Sequence, residues 1–164
     1  MTTEMTKENS RMAGILMPIA SLPSEDGVGG FGKEAYRFVD ILAEMGMSIW
    51  QILPLNPLGY GNSPYQPFSS FAGDELYIDI GLLEEAGYVK KREGRFDKGN
   101  SAEKIAYEKA RKYKEPYLRE AFEAFRKKEY NSEEFLRFRE TEWVYPYAVF
   151  VALKKQNSLR CWNE

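Results

Sequence analysis

Apolar and polar positions follow two different rhythms along this chain. The first is continuous. Ala13-Gly-Ile-Leu-Met17 is an apolar run stopped by Pro18, and Ser48-Ile-Trp-Gln-Ile-Leu53 is a second, stopped by Pro54. Runs this short, ended by proline, predict strands buried on both faces. The second rhythm is helical. Between Lys33 and Met45, Ala35, Phe38, Val39 and Leu42 recur at i, i+3, i+4 and i+7, while Lys33, Glu34, Arg37, Asp40 and Glu44 take the other side. Gly46 follows as the expected C-terminal cap. Residues 13–53 therefore read strand, loop, helix, strand, and two strands so joined should lie parallel with a right-handed crossover. Such a unit fits a doubly wound sheet and a (β/α)₈ barrel equally well. In both, loops leaving the C-terminal ends of the strands open on one face. That places loop 18–32, with Pro18, Pro23 and a cluster of glycines, beside the loop that follows Leu53.

That second loop, residues 54–77, is long and holds four of the eight prolines. Loops of this length inside a compact domain are uncommon and tend to be functional or disordered. Its aromatic content speaks against disorder, and its prolines restrict the backbone. Residues 78–88 predict a short helix closing near Gly87, and charged residues 89–100 a loop or small hairpin. From Ser101 the pattern is helical through Ala106, Ala110, Tyr113, Tyr117, Ala121 and Phe125, with Pro116 expected to split it into two helices. Asn131 with Glu134 resembles a capping box, and a last helix is expected from about Pro146 to Lys155.

Composition narrows the function classes. Hydrophobic residues at 43% and charged residues at 29% are globular values. A net charge of -2, with Glu and Asp interleaved among the Lys and Arg, gives no electrostatic reason to bind nucleic acid. Histidine is absent, which removes His-based triads and His-based metal sites. No metal or cofactor is implied. The one cysteine, Cys161, permits no internal disulfide and suits a reducing compartment. The polar opening, residues 1–11, reads as a loose tail without the apolar core of a secretory signal. A cytoplasmic location is the resulting expectation.

The chemistry is concentrated in Gly59-Tyr-Gly-Asn-Ser-Pro-Tyr-Gln66. Tyr60 and Tyr65 offer flat apolar faces with polar tips. Asn62, Ser63 and Gln66 add donors and acceptors. A sugar ring needs that mixture of C–H patches to stack and hydroxyls to hydrogen-bond. A turn that packs its own aromatics into the core would carry the same residues, and the residues alone do not separate the two readings.

Several ordered motifs carry a resemblance. Gly14-Ile-Leu-Met-Pro-Ile-Ala-Ser-Leu-Pro-Ser24, Gly27-Val-Gly29, Glu34 to Leu42, Trp50-Gln-Ile-Leu-Pro-Leu55, Gly59 to Gln66, Ser69-Ser-Phe-Ala-Gly73, Ala152-Leu-Lys154 and Cys161-Trp-Asn-Glu164 together resemble the opening of the 4-α-glucanotransferase (amylomaltase) family. The resemblance implies the start of a (β/α)₈ TIM barrel, with its first two strands, followed by a helical insertion. It divides the chain into a flexible tail (1–11), a first βαβ unit with a long substrate-binding loop (12–88) and a helical insertion (89–164). It also implies the reaction: an α-1,4-glucan segment is passed to the 4-hydroxyl of another glucan, with retention, through a covalent glycosyl-enzyme.

By the same resemblance, Tyr65 lines the subsite of the transferred sugar and Ser63 is a neighbouring contact. Tyr60 belongs to a secondary glucan groove, and Asn62 and Gln66 shape the loop. The partners implied are α-1,4-glucans and the remainder of the barrel, with no nucleic acid and no membrane. Ser21 and Ser24 face the same side, with turn roles expected.

The family's catalytic carboxylates fall beyond residue 164, so no catalytic residue is assigned here. Asp74, Glu75 and Asp79 do not replace them. The chain alone is expected to bind glucan without turnover, and a non-catalytic glucan-binding fragment is the alternative reading. Open strand edges predict instability or oligomerisation of the isolated chain. Two departures from the family stand out. No Asp follows Gly27-Val-Gly29, and Pro146 takes an acidic position in Trp143-Val-Tyr-Pro-Tyr-Ala148.

Overall fold

The computed structural model describes residues 11–92, 94, 96–97 and 104–160. The expected tail up to Ser10, part of the expected 89–100 hairpin, and the motif from Cys161 onward lie outside the described residues.

Strand β1 (Gly14–Leu16) and strand β2 (Ile49–Gln51) pair in parallel, with Gly14 opposite Ile49, Ile15 opposite Trp50 and Leu16 opposite Gln51. The ladder extends one bond at each end, from Ser48 N to Ala13 O at 3.0 Å and from Met17 N to Gln51 O at 2.9 Å. Helix α1 (Lys33–Glu44) makes the crossover. Its inward stripe buries Ala35 and Leu42, and Phe38 meets Trp50 edge-on at 4.8 Å. Trp50 Nε1 also donates to Met17 O at 2.9 Å, which ties the helix-facing side of the sheet to the start of loop 18–32. Gly46 ends the helix at φ +72°, where its missing Cβ removes the steric cost of the left-handed turn.

The strands are not buried on both faces, as their apolar runs had predicted. Leu16 is 57% exposed and only the middle residue of each strand is half-covered. The described sheet has two strands, and α1 covers a single side of it. Val39, one of the expected helix-face residues, is half exposed.

Beyond the sheet, single 3₁₀ turns at Ile19–Ser21, Tyr60–Asn62 and Glu75–Tyr77 shape the two long loops. Helix α2 (Ile80–Glu85) follows, capped by Asp79, whose Oδ1 accepts from Leu82 N at 2.9 Å. Helix α3 (Tyr107–Lys128) runs unbroken through Pro116, where two helices had been expected. An interior proline costs about 3 kcal/mol by losing a hydrogen bond and crowding the preceding turn. Here the helix continues through it with packing on both sides, Ala110 and Lys114 buried before it and Ala121 after it.

Helix α4 (Glu133–Arg139) is capped by Ser132, whose Oγ accepts from Phe135 N at 3.3 Å, and not by Asn131 as the capping-box reading had it. Both residue types cap well, and the chain's approach from α3 selects the second. Helix α5 (Val144–Gln156) holds Pro146 in its first turn, where a missing N–H removes no intrahelical bond.

Among the described residues the core consists of three small clusters. One joins Ile19, Leu22 and Ala35; a second joins Ala20, Val28, Leu76 and Ala110; a third joins Ile80, Val89 and Ala121. Tyr77 packs against both of the first two. Residues of the strand unit and of α3 thus share one apolar interior.

Buried charge crosses the same boundary. Asp26, 3% exposed, accepts from Ile80 N at 3.2 Å and pairs with Arg92. Lys114, 1% exposed, donates to Leu76 O at 2.7 Å and lies 3.6 Å from Asp26. Burial lowers the Lys114 ammonium below its ordinary pKa, against the pull of Asp26.

Candidate functional site

Loop 54–77 has a neck and a tip. At the neck, Asp74 N donates to Leu55 O at 2.8 Å and Asn56 Nδ2 donates to Ala72 O at 3.0 Å. Higher up, Leu58 and Pro67 form an isolated antiparallel bridge, and Phe68 N donates to Pro57 O at 3.1 Å. The two limbs are therefore laced together for several residues before the tip begins. Such Ω-shaped closure converts a long loop into a small, preset surface. Gly59 is needed at the pinch, because a Cβ there would stand 2.2 Å from Gln66 O.

The tip carries the sequence-predicted residues. Tyr60 opens the turn Tyr60–Asn62, and its side chain lies outside the described part of the structure. Asn62 is exposed and adopts φ 55°, a left-handed conformation that asparagine tolerates better than most residues. Ser63 Oγ accepts from Tyr65 N at 3.4 Å, and Gln66 N donates to Ser63 O at 3.2 Å, so Ser63 closes a local turn. Tyr65 is 71% exposed. The alternative in which this turn packs its aromatics inward does not hold for Tyr65. Asn62, Ser63, Tyr65 and Gln66 share a segment five residues long, with the tyrosine ring outward. In loop 18–32, Ser24 takes the turn role expected of it, accepting from Asp26 N at 2.9 Å.

Helix α5 supports the descending limb through aromatics. Phe71 stacks on Trp143 at 6.2 Å with a 14° interplanar angle, and Phe68 meets Phe150 at 6.2 Å. Lys154 Nζ sits 5.5 Å from the Phe68 ring centroid, within cation–π range.

Sequence reasoning missed the residues beneath the tip. Asp74 is 4% exposed and fills both carboxylate oxygens. Oδ1 accepts from Leu76 N at 2.9 Å and from Arg111 Nη1 at 3.2 Å. Oδ2 accepts from Leu58 N at 3.1 Å and from Arg111 Nη2 at 2.7 Å. Arg111 Nη1 also reaches Glu75 Oε1 at 2.9 Å. Burial alone would lower the Arg111 pKa; its hydrogen bond to Asp74 and the charges of Asp74 and Glu75 raise it instead. Two tyrosines lie in the same field. Tyr77 and Tyr147 are each pushed up to about 12, first by burial and then by neighbouring charges that include Asp74. A clue to Asp74 existed in its cap position before Glu75-Leu-Tyr. Arg111 had none, since it sits among look-alike charges on a long helix.

Asp74, Glu75 and Asp79 are thus committed to caps and ion pairs.

Known proteins give this geometry a context. A family model described as 4-alpha-glucanotransferase matches residues 17–164. The 4-alpha-glucanotransferase of Aquifex aeolicus is 45% identical over 89% of this chain and 30% of its own length. That of Thermus thermophilus is 42% identical over 95% of this chain and 31% of its own length. A solved amylomaltase from Streptococcus agalactiae, in complex with acarbose, superposes with a TM-score of 0.84 at 38% identity, covering 92% of this chain and 31% of that one. The chain spans 30–31% of the length of these relatives. A family match running from the end of β1 through α5 and on to residue 164 shows that this chain belongs to the 4-alpha-glucanotransferase family.

Proposed function

We propose that this chain supplies a glucan-binding section of a 4-α-glucanotransferase, with Tyr65, Ser63, Tyr60, Asn62 and Gln66 as its sugar contacts. In that reaction one carboxylate attacks the anomeric carbon and the leaving 4-oxygen is protonated. The 4-hydroxyl of a second glucan then displaces the enzyme as the same acid/base takes back its proton. The carboxylates come from outside this chain. Within it, Tyr65 offers a ring face for a glucose unit, while Ser63, Asn62 and Gln66 offer hydroxyl and amide groups to its hydroxyls. The single observation that carries this reading is the exposure of Tyr65 at 71% on a loop whose limbs are laced together. An aromatic residue carried outward on a backbone whose limbs are tied is partly preorganised for a ligand. That the related Streptococcus agalactiae amylomaltase was solved with acarbose adds support.

The same proposal places β1, α1 and β2 as the opening of a (β/α)₈ barrel. Residues 12–88 form its first unit with the substrate loop, and residues 89–164 a helical insertion. The remaining barrel is the chain's partner and would cover the open strand faces. A single cysteine fits a cytoplasmic setting. The test is incubation of the whole native protein with maltotriose. Glucose and longer maltooligosaccharides are expected, and a mixture unchanged after prolonged incubation would reject the transferase reading.

A second reading is favoured by the 30% span and by the commitment of the nearby carboxylates: the chain by itself binds glucan and turns nothing over. Calorimetric binding of maltohexaose by the 164-residue chain, with no product formed, is the expected result. Product formation would defeat it.

A further inference from the structure

The geometry points to Asp74 and Arg111 as positioning residues for sugar binding: their partly buried ion pair closes the neck of loop 54–77 and so sets where Tyr65 stands. The inference rests on the reading of the tip as a glucan contact. Asp74 joins the two limbs directly. Its backbone N–H holds Leu55 O on the ascending limb, and its Oδ2 holds Leu58 N on the same limb. Its Oδ1 caps the turn Glu75–Tyr77 through Leu76 N. A carboxylate making these contacts alone would be a buried, uncompensated charge. Arg111 supplies the compensation from α3, and does so with a two-pronged guanidinium grip at 2.7 and 3.2 Å. Because α3 is anchored in the shared core through Ala110 and Lys114, the grip fixes the loop relative to the sheet as well as to itself.

The helical region therefore contributes to the sugar site without touching sugar. Residues 37 positions apart in sequence are in contact here, and through Asp74 the pairing links α3 to both limbs of this loop. A lysine at position 111 would keep the charge but not the planar fork. Position and charge are thereby separable by substitution.

The experiment compares Arg111→Ala, Arg111→Lys and a control, Arg92→Ala, in the whole native protein. Arg92 pairs with Asp26 and Glu84 and not with Asp74, so its loss removes a second partly buried ion pair and leaves the Asp74–Arg111 grip in place. Two readouts are taken well below each melting temperature: hydrogen exchange at the amides of Leu58, Phe68 and Asp74, and maltohexaose affinity by calorimetry. In Arg111→Ala, exchange at those amides is expected to accelerate at least about tenfold while β1 and β2 stay protected. Affinity is expected to fall on the order of tenfold, since small displacements of a positioned group are costly. Arg111→Lys should lie between wild type and alanine, and Arg92→Ala should match wild type in both readouts. Neck amides that exchange at the wild-type rate in Arg111→Ala overturn the proposal. So does unchanged affinity despite an opened neck, or an equal loss in the control. If the wild-type protein ignores maltohexaose, the sugar reading fails, and the exchange pattern still decides whether the clasp holds the loop.

Discussion

The tip and the neck of loop 54–77 lie within a few residues of each other and are built on opposite principles. The tip is exposed, polar and aromatic, and its hydrogen bonds are local, as in Ser63 to Tyr65 and Gln66 to Ser63. The neck is buried and charged, and its bonds reach across the chain from Asp74 to Leu55, Leu58 and Arg111. On the proposed reading the tip meets a sugar and so cannot also bury itself for stability; stability is placed underneath. The comparison makes a definite claim: substitutions at the neck should move both stability and binding, and those at the tip should move binding alone.

The largest effect is expected at the neck. Asp74→Ala leaves Arg111 partly buried without its partner and opens two backbone N–H groups, so a loss of about 3–5 kcal/mol is expected from urea unfolding. A loss below about 1 kcal/mol, the range of an exposed ion pair, would break the contrast.

Next comes the pinch between the two regions. Gly59→Ala places a methyl group 2.2 Å from Gln66 O, which requires the limbs to part. A cost of about 1–3 kcal/mol is expected, together with weaker maltohexaose binding. Full affinity in this variant would mean that the lacing of the limbs has no bearing on the tip.

At the tip, Tyr65→Ala should change unfolding stability by no more than about 0.5 kcal/mol, as for a surface position. Maltohexaose binding should weaken by about 2 kcal/mol, the size expected for an aromatic anchor. If stability falls as much as at Asp74, the two regions are not separable.

The subtlest lever is pH, and it acts on the buried side. The folded-state pKa of Lys114 lies below its ordinary 10.5, so the unfolded chain binds more protons in the window beneath that value and stability rises as pH climbs through it. Tyr77 and Tyr147 have folded-state values of about 12 against an ordinary 10. Their contribution is present in full below about pH 10 and is lost as pH rises through about 12. Urea midpoints from about pH 8 to 12 should therefore rise and then fall. Lys114→Met should remove the rising part, and Tyr77→Phe should make the falling part shallower. A flat profile would show that these buried groups do not feel the environment described.

The two regions also differ in how legible they were. The tip could be read from Gly59 to Gln66 because its chemistry is contiguous: the residues that share the surface are neighbours in sequence. The same holds for β1, α1 and β2, whose apolar periods and terminal Pro18, Gly46 and Pro54 act over a few residues. The neck could not be read, because Asp74 and Arg111 meet only after α3 packs on the turn Glu75–Tyr77. Lys114 was hidden for the same reason, as one basic residue among many on a helix.

Where local rules and packing disagreed, packing won. Pro116 has the local character of a helix breaker, yet α3 continues because buried residues on both of its sides hold it. Asn131 and Ser132 are both capable caps, and the geometry of the chain entering α4 chose Ser132. The apolar runs of β1 and β2 correctly marked strands, but burial on both faces is a property of what surrounds a strand. Among the described residues one face is left open.

What the sequence alone determined is the strand–helix–strand opening, the residue types gathered at the Tyr60–Gln66 tip and a resemblance to the family whose model matches this chain. Those follow from short-range periodicity, backbone restriction and contiguous motifs. What only the tertiary structure decided is which charges are buried, which proline is tolerated and that Tyr65 points outward from a clasped loop. Those depend on residues far apart in the chain being brought within hydrogen-bond distance, where desolvation makes each charge require its partner.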